Sequence, residues 1–354
     1  MSCRSNLVNL FVELASINAL SGEEKPVIDF LINFAEKRKL PYIFEPIPEK
    51  CPEETGNIIF TVNGGGHKLF VSHMDTVRPT NKLRVQFDGK TLKSDGRSVL
   101  GADNRAGIAA ILFYIDEYLS IPGDKEGFYA AFTVCEETNL AGSLNLDFPA
   151  EVEHAFVFDS YLRPGKIITS SFGALGFNII LTGVENEGNK VLQAAKNILS
   201  KLPQGRVESE TTFTIDIKEN KTDTKEVLLE GDIRSSARGR IEEHLENLKA
   251  LTKQVCSLTG CDFTLKINWD FKPYSLENNS SILQLAKEAI ETSGLEYEEL
   301  VSIGGSDANS FNERGLPAVN FGIGAQNPHS FDEFIEIEDF ENVVEIIRKL
   351  VSSK

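Results

Sequence analysis

The sequence predicts an α/β protein in two parts. A mixed-sheet domain is built from both ends of the chain, residues 1–171 and 272–354, and a βαββαβ domain is inserted at 172–271. Three observations predict this. Apolar runs of strand length at 69–71, 128–135 and 156–158 each lead into carboxylates: Asp75, Glu136 with Glu137, and Asp159. From Phe172 to Phe271 the periodicity reads strand, helix, strand, strand, helix, strand. Beyond Phe271 the α/β pattern of the first part resumes.

Taken in order, Ser2 to Ala19 reads as an amphipathic helix of the mature chain, since no small-residue cleavage pattern follows a basic head. Ser21 and Glu24 have capping-box spacing and predict the start of a second helix, with Pro26 in its first turns. Val27, Phe30, Leu31 and Phe34 recur at helical spacing up to Lys37-Arg38-Lys39, a basic end that suits the helix dipole. Residues 57–62 and 68–71 are strands joined by a turn at Asn63–Gly66, where His67 is expected to be exposed and without a role. A short hairpin is predicted at 85–94, and Asp103 stands between Gly101 and Gly107 at the mouth of an apolar helix.

In the inserted part the strands are 172–181, 210–218, 226–234 and 261–271, and the helices 190–202 and 241–258, the order of a ferredoxin-like split unit. His244 lies on the charged face of the second helix, a solvated position. The remainder predicts a helix at 280–292, a glycine-rich turn at 303–309, a strand at 317–321 and a terminal helix at 337–351.

The 354 residues suit two domains, and 41% hydrophobic with 25% charged residues is a globular composition. A net charge of −17 argues against nucleic acid or an anionic membrane as partner. No run of eighteen apolar residues occurs. The five cysteines are scattered without a C-x-x-C, which predicts buried reduced thiols and a cytoplasmic protein.

In extended chain, residues i and i+2 point to one side, so His73 can offer one ring nitrogen to a metal while Asp75 takes a hydrogen bond from the other. The candidate ligands are His73, Asp103, Glu137, Asp159 and His329, with Glu136 spare. In open α/β sheets ligands gather outside the carboxyl ends of strands, where several of these acids lie. Two histidines with several carboxylates suit zinc, manganese or cobalt in a paired site, with a bridging carboxylate between ions about 3.5–4 Å apart.

Ser72–Val77, Gly101–Gly107, Glu136-Glu137, Asp159, Gly304–Asn309 and Asn327–Ser330 together resemble the M20 family of dimetal peptidases, in particular its peptidase T-like (tripeptide aminopeptidase-like) branch. The resemblance covers nearly the whole chain in order. It implies a zinc-exopeptidase-like catalytic domain with an inserted lid and dimerisation domain, two divalent ions, and a homodimer acting on short peptides or acyl amino acids. Carried over, His73, Asp103 and Asp159 would hold one ion and Asp103, Glu137 and His329 the other, with Asp103 bridging. Asp75 would orient His73, and Glu136 would be the general base acting on a water shared by the metals. Arg234, Gly304, Gly305 and Asn309 would contact substrate, and the Asp103-Asn104 peptide would be cis.

One departure stands out. Family members carry a His-Ala-Gly loop in the smaller domain that completes the partner subunit's site. Here the equivalent passage, Leu181–Lys190, has no histidine, and the segment Lys218–Lys225 is trimmed. The resemblance therefore leaves three outcomes open: an exopeptidase, a deacylase of N-acyl amino acids or dipeptides, and a metal- or peptide-binding dimer with impaired turnover. A β-barrel in place of the βαββαβ domain would instead indicate an M42- or M28-type aminopeptidase.

Overall fold

The structure is a computed structural model and describes residues 3–47, 54–123, 125–183, 188–218 and 226–353. The loop at 184–187 and the trimmed segment at 219–225 lie outside the described residues. Two compact units emerge, one of residues Met1–Thr169, Leu276–Val301 and Ser306–Lys354, the other of Ser170–Ser275 with Ser302–Gly305.

The first unit is organised on a mixed sheet. Its strands run Tyr42–Pro46, Gly56–Val62, Phe128–Thr133, Lys68–His73, His154–Ser160, Ala318–Gly322 and Lys166–Ser171 across the sheet. The middle four are parallel, the remaining pairings antiparallel. Strands Lys68–His73 and Phe128–Thr133 are buried along their whole length, which is why both read as unbroken apolar runs rather than alternating ones. Phe70 packs on Phe128, Phe156 and Phe158, and Phe158 stacks on Phe321 with centroids 5.0 Å apart. Burying each such ring stabilises the sheet by about 1.5–3 kcal/mol.

Parallel neighbours end on the same edge. His73 lies opposite Thr133, and two residues beyond the Val71–Val157 pair come His73 and Asp159. The register thus delivers the polar strand ends to one place.

Helix Ala102–Ser120 lies against these strands, and its glycine has a steric reason. A Cβ on Gly107 would stand 2.5 Å from the backbone oxygen of Phe158, from Ser72 Oγ and from Asn104 Oδ1. Only hydrogen fits there. Helices Cys3–Ala15, Lys25–Arg38, Ser281–Thr292 and Ile337–Ser352 bury their apolar stripes in the same core. The predicted hairpin is present as Val85–Phe87 and Thr91–Ser94, and Phe334–Glu336 adds a third strand to it.

The capping-box expectation at Ser21 and Glu24 is corrected. Glu24 is the residue before helix Lys25–Arg38, but no side-chain cap bond forms there. Both side chains are turned elsewhere, as described below.

In the second unit the strands run Gly205–Glu208, Thr211–Lys218, Glu226–Ser235, Gly173–Thr182 and Asp262–Phe271, every neighbour antiparallel. Helices Gly188–Lys201 and Arg238–Thr259 pack with this sheet around Phe177, Phe213, Ile233 and Leu248. The order is βαββαβ with one short strand, Gly205–Glu208, added at an edge. The sheet is open, so the β-barrel alternative falls. His244 is not solvated as expected. Its side chain is 16% exposed, its ring lies 6.2 Å from that of Phe213, and Nε2 is 3.7 Å from Glu208. Cys256 and Cys261 are buried thiols with sulfurs 3.0 Å apart.

Candidate metal centre

Seven side chains from five separate stretches converge at the carboxyl edge of the parallel strands. His73 ends its strand and is 1% exposed. Its Nε2 is 3.1 Å from Asp103 Oδ1 and 3.1 Å from Asp159 Oδ1. The other ring nitrogen, Nδ1, faces Asp75, 3.1 Å from the backbone oxygen and 3.3 Å from Oδ1. The orienting contact predicted from the i, i+2 spacing is therefore shared between the carbonyl and the carboxylate.

Asp103 divides its two oxygens. Oδ1 faces His73, while Oδ2 lies 3.1 Å from His329 Nε2, which in turn is 2.9 Å from Glu137 Oε1. Two groups that share Asp103 result: His73, Asp103, Asp159 and Asp103, Glu137, His329. Glu136 lies 4.0 Å from His73 Nε2, outside both, and with His73 and Glu137 it forms a third group whose donor atoms are close enough to hold an ion. The Asp103-Asn104 peptide is cis, as the resemblance implied. His329 and Cys135 adopt left-handed backbone, φ 63° and 55°. For residues other than glycine that conformation costs roughly 1–3 kcal/mol and concentrates at functional sites.

Each charge has an identifiable environment. Burial opposes a proton on His73, yet Asp159, Glu136 and Asp103 hold its pKa well above the ordinary value. Burial raises Asp103 too, but the bonds from His329 and His73 win and depress it. Glu137 is pushed up to about 7, mainly by burial and against the His329 bond. Glu136 is raised well above a normal glutamate by burial and by Asp159, and Asp159 is raised by burial. Buried carboxylates crowded round two imidazoles call for positive charge. The donors, imidazole nitrogen and carboxylate oxygen, fit a pair of divalent ions such as zinc or manganese.

Residues 69–353 match peptidase family M20/M25/M40. The chain belongs to this family. It is 28% identical over 366 residues to the uncharacterised protein YqjE of Bacillus subtilis, covering 98% of this chain and 97% of that one. To peptidase T of Lysinibacillus sphaericus it is 27% identical over 282 residues, 75% of this chain and 68% of the relative. In fold it is similar to aminopeptidase PepT from Bacillus cereus, with a TM-score of 0.87 at 24% identity over 99% of each chain. As an M20 protein of peptidase T-like kind, the chain is a peptide-hydrolysing metallo-exopeptidase.

Three of the site residues that the M20 resemblance implies belong to the second unit. Arg234 lies on the inner strand Glu226–Ser235 of the other unit, partly exposed, its Nε 3.3 Å from Asp232. Gly304 and Gly305 also belong to that unit, and Gly305 is required by the ring of Phe271, 2.5 Å from where a Cβ would be. Asn309 lies at a helix start. It is 1% exposed and its Oδ1 accepts the backbone N–H of Ser306 at 3.0 Å, closing a capping box at the start of helix Asp307–Glu313.

Four further residues escaped sequence reasoning. Asn104 Nδ2 donates to Asp159 Oδ1 at 3.0 Å, steering that carboxylate. Glu333 takes the backbone N–H groups of Gly101 and Asp103. Asp307, buried, accepts from Thr133 Oγ1 at 2.5 Å and is pushed up to about 6 by burial. Glu24 bonds the backbone of Cys135. Their partners are mostly backbone or distant side chains, which leave no spacing signal.

Proposed function

We propose that this M20 protein is a dimetal exopeptidase of the tripeptide aminopeptidase kind, working on short peptides as a cytoplasmic homodimer. The observation that carries this reading is the division of Asp103, one oxygen toward His73 and the other toward His329. His73, Asp103 and Asp159 would hold one ion, and Asp103, Glu137 and His329 the second, zinc by preference with manganese or cobalt as alternatives. When bound, such ions polarise a carbonyl and lower the pKa of water.

The chain's own residues do the rest. Asp75 sets the tautomer and tilt of the His73 ring. Glu136 Oε2 takes the proton from the attacking water and delivers it to the leaving amine. Its raised affinity for a proton supports that role. Arg234 and the Gly304-Gly305 turn are assigned to the substrate by resemblance. Elemental analysis should find two ions per chain, and hydrolysis of a tripeptide panel should vanish in Glu136→Ala. A fully loaded protein inert on every short peptide and acylated amino acid would defeat the proposal.

The missing histidine between Gly173–Thr182 and Gly188–Lys201 supports a second reading, since losing one oxyanion donor costs about a hundred- to a thousandfold in rate. On that reading the chain is a deacylase of N-acyl amino acids or dipeptides, or binds peptide with impaired turnover. Calorimetric peptide binding without product would favour the latter, and faster turnover of acyl amino acids the former.

A further inference from the structure

Ser21 and Glu24, spaced like a helix cap, are aimed away from their helix. Ser21 Oγ donates to Asp75 Oδ2 at 2.6 Å. Glu24 Oε1 accepts the backbone N–H of Gly22 at 3.0 Å and, across 111 residues of sequence, that of Cys135 at 2.9 Å. We propose that Glu24 and Ser21 are positioning residues for hydrolysis, holding the turn Cys135–Glu137 that carries the base and one metal ligand. The inference rests on the roles given above to Glu136 and Glu137.

Three successive N–H groups of that turn go to two buried carboxylates. Cys135 bonds Glu24 Oε1, Glu136 bonds Asp75 Oδ1 at 3.1 Å, and Glu137 bonds Asp75 Oδ2 at 3.1 Å. Glu24 and Asp75 are both 0% exposed. Burying two acids side by side is costly without compensation, and the fully buried Arg105 supplies it, its charge acting on Asp75 and then Glu24.

The pivot is Cys135. Its left-handed backbone turns the chain from the strand Phe128–Thr133 into the short helix Glu136–Asn139. That conformation is unfavourable for a side chain larger than hydrogen, so an external bond must keep it. Glu24 makes that bond. With it removed, the turn loses its bond to the Cys135 N–H, and rotation of the turn in response moves both following carboxylates. Displacements near 1 Å suffice to cost about a hundredfold in rate. Ser21 acts one step further out, fixing the Asp75 oxygen that receives Glu137.

The test compares Glu24→Ala, Glu24→Gln and Ser21→Ala with wild type and Glu136→Ala. Each is measured for kcat and KM on a tripeptide, for ions per chain, and for the visible absorption of the cobalt-substituted protein. Glu24→Ala should lower kcat about 10–100-fold with KM within about twofold, and should shift the cobalt spectrum. Glu24→Gln, whose amide oxygen still accepts from Cys135, should recover most of the loss. Ser21→Ala should show a smaller shift of the same kind.

Wild-type kcat and spectrum in Glu24→Ala would overturn the inference, as would Glu24→Gln failing as badly as alanine. If Glu24→Ala does not fold, an unchanged spectrum in Ser21→Ala overturns it instead. An inactive Glu136→Ala beside a normal Glu24→Ala removes this inference alone. Equal turnover in wild type and Glu136→Ala removes the functional reading.

Discussion

The carboxylate of Glu333 accepts the backbone N–H of Asp103 at 3.0 Å, and its other oxygen accepts that of Gly101 at 2.7 Å. Glu333 follows His329 by four residues, so one short stretch supplies a proposed ligand and also holds the turn that carries Asp103. Burial pushes the acid up to about 7. Glu333→Ala should therefore weaken metal affinity about 10–100-fold, with Glu333→Gln intermediate. Competition titration against a chelating indicator measures this, and unchanged affinity in the alanine variant would count against the clamp.

Ion binding should release protons. His329 is pushed up to about 10 by its bonds to Asp103 and Glu137, and Glu137 is raised to about 7, mainly by burial. At pH 7 the imidazole is thus protonated, and Nε2 would have to lose that proton to coordinate as proposed. Affinity should rise with pH towards about 10. Calorimetry in two buffers of different ionisation enthalpy should report net release, and uptake would contradict the arrangement. For stability the sign is opposite. A raised histidine pKa stabilises fully below about 6.5, the unfolded value, and that contribution is lost as pH rises through about 10.

Gly107→Ala should be strongly destabilising. The new methyl group meets the Phe158 backbone oxygen at 2.5 Å, and backbone cannot swing aside as a side chain can. Overpacking of this kind costs about 1–3 kcal/mol, occasionally more. Urea denaturation would show it as a lower midpoint with an unchanged slope. A wild-type midpoint would mean that the helix Ala102–Ser120 can shift freely.

Lys68→Met separates stability from chemistry. The Lys68 ammonium is buried and donates to Leu350 O at 2.8 Å and Ser353 O at 2.5 Å, closing the end of helix Ile337–Ser352. Burial depresses its pKa. Loss of these bonds should cost about 1–3 kcal/mol, with kcat per folded molecule unchanged. Thermal unfolding and active-site titration check the two halves.

Much of the fold and of the side-chain cluster could be read in advance because the signals are local. Buried parallel strands are apolar throughout, so an acid at the end of one is conspicuous, as Asp75, Glu137 and Asp159 are. Helical and strand periodicities differ, which is why the inserted βαββαβ order showed through. The errors fall where a polar side chain has several chemically equal partners. Ser21 and Glu24 satisfy the pattern of a cap but bond Asp75 and Cys135. His244, expected in water, rests on Phe213.

The sequence by itself determined which residues are chemically able to bind metal and which strands end in them. Only the tertiary structure decided how Asp103 divides its oxygens between two histidines 256 positions apart. It also decided that Glu24, Asp75 and Glu333 hold the turns carrying Asp103, Glu136 and Glu137 through backbone N–H groups. The reason is physical. A side chain's chemistry is written in its own atoms, whereas a backbone N–H is the same at nearly every residue, so its partner is chosen by the fold alone.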